Sequence, residues 1–169
     1  MEPALIAVVG AVVGILLTNG IRLVLDARAR AERVRDIQTA LRAEIRSHRR
    51  SLEVFSEGTV QSEVLTHIEA EAGYSPFVNR EVDPFIFDAI VGEIHVLPGA
   101  VIDPVVLYYR QWRILGMLAE DMRSASFAQL PQARKAALYA DYRNLGLYAI
   151  DLGKDAVDVL NASLDDGKS

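Results

Sequence analysis

Residues 3–21, PALIAVVGAVVGILLTNGI, carry no charged side chain. At about 1.5 Å per residue, a helix of that length spans roughly 28 Å, close to the roughly 30 Å hydrocarbon core of a bilayer. The polar residues Thr18 and Asn19 fall at the end of the run, where interfacial groups satisfy them. In lipid every peptide group pairs internally, which selects a helix despite the valines. The pattern predicts a transmembrane helix within residues 1–21. A cleaved signal peptide fits less well: such a peptide is positive before its apolar core, and here the positive charges follow it. Within the run, Ala7, Gly10, Ala11 and Gly14 place small residues at helical spacing, the pattern that lets two spanning helices approach closely.

Beyond residue 21 the apolar positions become periodic. Val34, Ile37, Leu41, Ile45, His48, Leu52 and Phe55 recur at steps of three and four, with no Pro or Gly between 21 and 55. That is one face of an amphipathic helix, predicted as a stalk and first bundle helix over 22–58. Gly58 breaks it, and Thr59 is placed to cap a short helix ending at Ala72–Gly73. Asp83–Pro84 and Asp103–Pro104 each pair a capping residue with a proline suited to a first helical position. The second of these opens a long helix to Arg123, after a Pro98–Gly99 turn. A last helix is expected from about Pro131 to Leu164. Its stripe is Leu138, Tyr142, Leu145, Ala149, Leu152, Ala156 and Val159. Gly116 and Gly146 are the glycines expected to permit close helix approach. No β alternation is sustained. The fold class is all-α: an N-terminal transmembrane helix followed by an antiparallel helical bundle, with 59–164 completing the bundle and 165–169 a flexible tail. Truncation after Ser163 is expected to do little.

Composition adds direction to this outline. The chain is 51% hydrophobic with mean hydropathy +0.16, and it has no cysteine. Disulfides, thiolate metal sites and cysteine nucleophiles are excluded. Charge is split: residues 1–50 hold nine arginines against five acids, whereas the rest hold nine Lys/Arg against eighteen acids. All nine arginines follow the apolar run. The positive-inside rule then places the N-terminus outside and residues 22–169 in the cytoplasm of a bacterial inner (plasma) membrane. The acidic later part, with no aromatic-interleaved basic patch, argues against nucleic acid as a partner.

Reactive patterns are few. Glu63, His67 and Glu71 are spaced four apart and form the candidate metal set, against the plainer reading of a solvated helix face. His95 lies beside Glu93 and is the other histidine that carboxylates could join. Glu-x-x-His pairs, HExxH, P-loop, GxGxxG and GxSxG motifs are absent. His48 lies inside an apolar stripe, and Tyr109 and Trp112 share a helix face with Val105 and Gly116. His48, Tyr109 and Trp112 are the candidate ligand or partner face; the alternative is ordinary core packing. No cofactor and no catalytic residue is expected.

The segments ALRAEIRSHRRSLEVF, FIFDAIVGEIHVLPGAVIDPVVLYYRQWRIL and ALYADYRNLGLYAI together make up 61 of the 169 residues. In this layout the chain resembles small bacterial single-span inner-membrane proteins with a cytoplasmic helical domain. The resemblance implies the architecture and carries over no activity. With no reactive constellation, the expected role is a membrane-tethered adaptor or an accessory subunit of a membrane protein assembly. Its partners would be the lipid bilayer and another membrane protein or a second copy of the chain. The alternatives are a membrane-anchored sensor binding a small ligand in its bundle, and a metal protein or enzyme using His67 or His95.

Overall fold

The computed structural model describes residues 2–55, 58–71, 73–78 and 83–167, with the side chains of 2–21, 55 and 58–61 outside the description. All its regular elements are helical. They are α1 (Glu2–Phe55), α2 (Gly58–Ala70), α3 (Phe85–Ile90), a 3-10 helix (Val91–Val96), α4 (Gly99–Arg123), α5 (Ala125–Ala128) and α6 (Gln132–Asp166). The chain divides into two compact units, Met1–Ile37 and Gln38–Ser169.

In the first unit, the residues from Arg22 to Asp36 are exposed except for half-buried Val34. Ala, Arg, Glu and Leu dominate this stretch and sustain a helix by propensity. Among the described residues no helix is long and apolar enough to cross a membrane. The run 3–21, with Ala7, Gly10, Ala11 and Gly14, lies outside the described side chains.

In the second unit the periodic stripe of α1 is buried at Leu41, Ile45, His48 and Leu52. This part of α1 lies antiparallel to α6. Gln38 Nε2 donates to Ser163 Oγ at 2.9 Å, Arg42 Nη1 to Asn161 Oδ1 at 3.0 Å, and the Arg49 stem meets Gly153. Helix α4 also runs antiparallel to α6, with Tyr108 against Gly153 and Gln111 Nε2 donating to the Leu145 carbonyl at 3.1 Å. The three long helices therefore meet at Gly153. A Cβ there would stand 2.7 Å from Arg49 Cδ, 2.8 Å from Arg49 Cγ and 3.0 Å from Tyr108 Cε2. Gly153 is a close-approach glycine and Gly146 is not: nothing lies within 4 Å of a Cβ at position 146.

Four elements differ from the sequence expectation. Helix α2 begins at Gly58, with Thr59 inside it rather than ahead of it, and ends at Ala70 rather than Ala72. Helix α4 starts at Gly99 rather than Asp103, because Val101 and Val105, one turn apart, both belong to the buried face. Pro104 is tolerated near the start, where its missing N–H forgoes a single bond to the Ala100 carbonyl. Pro84 precedes α3 as its N-cap rather than opening it, and α3 tightens into the 3-10 helix after six residues. Helix α6 continues to Asp166 with Leu164 buried, so residues 165 and 166 belong to the helix rather than to a tail. The α6 stripe is buried at Ala149, Leu152 and Ala156, and Val157, Leu160 and Leu164 widen it. Leu138 and Tyr142, nearer its start, pack on a second cluster of Val78, Ala119, Met122 and Phe127. The short helix α5 was not anticipated. Ser124 caps it, its Oγ accepting the Phe127 N–H at 3.2 Å.

Candidate functional site

Glu44 lies on α1 one turn before His48 and is only 5% exposed. A buried carboxylate is costly unless donors surround it. Here three do: the Ile86 N–H at 2.9 Å, the Phe87 N–H at 3.1 Å and the Tyr109 hydroxyl at 2.7 Å. The first two are backbone donors at the start of α3, which Pro84 cannot cap with a side chain. Glu44 supplies that cap from another helix. Burial raises the Tyr109 hydroxyl above its usual range, and the bond to Glu44 adds to the shift.

His48 lies on the same side of α1. Its ring stacks on Trp112 with centroids 4.0 Å apart and planes 6° from parallel. Tyr109 meets it edge-on at 6.4 Å and Tyr108 lies at 6.4 Å on a nearly parallel plane. Phe87 continues the stack on Tyr109 at 4.0 Å. Desolvation lowers the His48 pKa, against the opposing pull of Glu44. Its Nδ1 is buried with no hydrogen-bond partner among the described residues. The candidate face His48, Tyr109 and Trp112 is thus gathered in one place, as a packed aromatic layer. Glu44 and Phe87 complete it, and neither stood out in the sequence. The available signal was Glu44 at i−4 from a stripe histidine, hidden among the arginines of ALRAEIRSHRR.

A groove of about 370 Å³ opens beside this layer, lined by Asp83, Asp88, Trp112, Arg113, Glu120 and Arg123 among others. Arg113 forms an ion pair with Asp88 across it. Mixed charge over an aromatic floor suits a small polar ligand better than an apolar one.

The metal candidates lie elsewhere. His67 Nδ1 stands 3.6 Å from Glu71 Oε1, both well exposed on and just after α2, and the His67 ring stacks on Tyr74 at 5.4 Å. Glu63 is exposed one turn earlier. Among the described residues no three His, Cys, Asp or Glu side chains gather as a ligand set. His95 is exposed in the 3-10 helix.

One buried cation was missed. Lys135 is 0% exposed at the start of α6. Its Nζ donates to the Tyr74 carbonyl at 3.2 Å and lies 5.9 Å from the Phe127 ring centroid. It ties the segment after α2 to α6, a structural use of a residue that reads as surface in sequence. No protein-family model, curated protein or solved structure matches this chain.

Proposed function

We propose that the chain is a membrane-tethered helical adaptor or accessory subunit, anchored by residues 3–21 with its bundle on the cytoplasmic face. The observation that carries this reading is the contrast between interior and surface. Inside, the groups best suited to chemistry hold helices together: Glu44 joins α1, α3 and α4, and His48 is stacked on Trp112. Outside, large apolar side chains stand in solvent, with Phe77 86% and Phe85 71% exposed on either side of the segment leading into α3. Met117, Val106 and Leu107 of α4 are exposed as well. Single exposed apolar residues are ordinary, but two phenylalanines at this exposure suit a partner that covers them.

The test is purification of the full chain in a gentle detergent with identification of co-purifying proteins. Partners at fixed ratio, lost on Phe77→Ser and Phe85→Ser substitution, support the adaptor. Recovery of the chain alone, with a small molecule retained, overturns it in favour of the sensor reading. The groove beside Trp112 favours that second reading, since it offers Arg113 and Arg123 with three carboxylates around an aromatic wall.

A further inference from the structure

A second groove, of about 780 Å³, runs along α1. Its lining includes Arg42, Arg46, Arg49, Arg50 and the hydroxyls of Thr39 and Ser47. Arg42, Arg46 and Arg49 follow one another at steps of four and three and so share a helix face. Like charges at that spacing repel, so the cluster destabilises its own helix when nothing binds there. Among the described residues one carboxylate, Glu53, lines the groove, and it is held by Arg49 at 3.0 Å. The rest of this unit is acidic, so the patch is a local concentration of positive charge in a chain of net charge −5.

Two of the four guanidinium groups are fixed. Arg42 is tied to Asn161 of α6, and the stem of Arg49 is wedged against Gly153. Arg49 Nε is buried and has no hydrogen-bond partner among the described residues. Arg46 and Arg50 are exposed and make no ion pair among the described residues. Two anchored and two open guanidinium forks, with neighbouring hydroxyls, are the donor set that recognises phosphate oxygens in pairs.

We propose that this groove binds an anion bearing two or more phosphate groups. Arg46 and Arg50 close on the ligand, and Arg42 and Arg49 provide its fixed floor. The phosphates come either from a soluble polyphosphorylated molecule or from a lipid headgroup, which present the same chemistry.

The experiment uses the full chain in a nonionic detergent, titrated calorimetrically with inorganic tripolyphosphate. Saturable one-to-one binding is expected, weakened at least tenfold in Arg46→Gln/Arg50→Gln. The charge-matched control Arg28→Gln/Arg30→Gln, on the same helix outside the groove, should leave it unchanged. Adding cardiolipin, whose headgroup carries two phosphates, to the micelles separates the sources. Competition that is absent with phosphatidylcholine supports a headgroup, and undiminished tripolyphosphate affinity supports a soluble ligand. Absence of saturable binding overturns the proposal, and so does an equal loss in the control, which would mean non-specific charge attraction. It is also overturned if tripolyphosphate fails to bind and Arg46→Gln/Arg50→Gln dissociates a dimer, since the arginines then face a second copy of the chain.

Discussion

The Tyr109 hydroxyl of α4 donates to the Glu44 carboxylate of α1 at 2.7 Å, and the same carboxylate caps the first turn of α3. One side chain therefore fixes three helices, and its removal strands donors on two of them. Buried unsatisfied groups cost about 1–3 kcal/mol each. Glu44→Ala is expected to destabilise the bundle by about 3 kcal/mol and Tyr109→Phe by about 2 kcal/mol. In a double-mutant cycle, urea unfolding should give a coupling of at least about 1 kcal/mol. Additive losses would mean the two groups do not share a bond in solution.

Gly153 supplies a second point where three helices depend on one position. Alanine ordinarily gains up to about 1 kcal/mol over glycine inside a helix. At 153 the new methyl group would press on the Arg49 stem and the Tyr108 ring. Overpacking of that kind costs about 1–3 kcal/mol, so Gly153→Ala should lower thermal stability. At Gly146 the space is open, and Gly146→Ala should raise it. Paired melting curves by circular dichroism check both signs at once.

These two positions also mark how far the sequence could be read. The helix stripes were legible because burial follows helical periodicity: Leu41, Ile45 and Leu52 on α1, and Ala149, Leu152 and Ala156 on α6. The candidate trio His48, Tyr109 and Trp112 was legible for the same reason, each lying on an apolar face. Glu44 and Lys135 were not, because a charged residue is buried only when distant donors or acceptors surround it. Those partners, Ile86, Phe87 and Tyr109 for one and Tyr74 for the other, are far away in sequence. Gly153 was missed because which glycine faces two helices depends on crossing geometry, which a single helix pattern does not encode.

His48 gives the bundle a defined response to acid. Burial holds its pKa below the usual 6.5, so the native state resists a proton that the unfolded chain takes up near that value. Above about pH 7 both states are neutral at this residue and stability does not depend on it. As pH falls through about 6.5, the unfolded state gains protons first and stability drops. His48→Phe keeps an aromatic ring for Trp112 and removes the titration. Its melting temperature should vary less than the parent's between pH 7 and about 5.5. Parallel curves would assign the acid sensitivity to another group.

Membrane orientation is tested independently of the bundle. All nine arginines of residues 1–50 follow the apolar run, so under the proposed span a reporter fused after Ser169 should be active only in the cytoplasm. A fusion active solely outside would reverse the topology. Replacing Arg22, Arg28 and Arg30 with glutamine should weaken the preference, because the charges nearest the span dominate it.

The end of α6 distinguishes an intramolecular core from an intermolecular surface. Leu152, Leu160 and Leu164 are buried along its last four turns, and Gln38 and Arg42 of α1 are tied to the same stretch through Ser163 and Asn161. A buried Leu→Ala change costs about 2–5 kcal/mol through lost transfer energy and the cavity it leaves. A charge at such a site costs more, since an unpaired ion has to be desolvated. Leu152→Asp should therefore open the bundle to protease while the membrane insertion proposed for residues 3–21 continues. Truncation after Ser163 removes Leu164 and shortens the helix, so it should also increase cleavage, contrary to the sequence expectation. Truncation after Asp166 keeps the buried leucine and should leave digestion unchanged. Limited proteolysis of membranes carrying the three variants gives the ranking directly. If Leu152→Asp is as resistant as the parent, the stripe is not buried within one chain. If the parent itself becomes resistant only when a partner is added, the same leucines belong to the surface an adaptor presents.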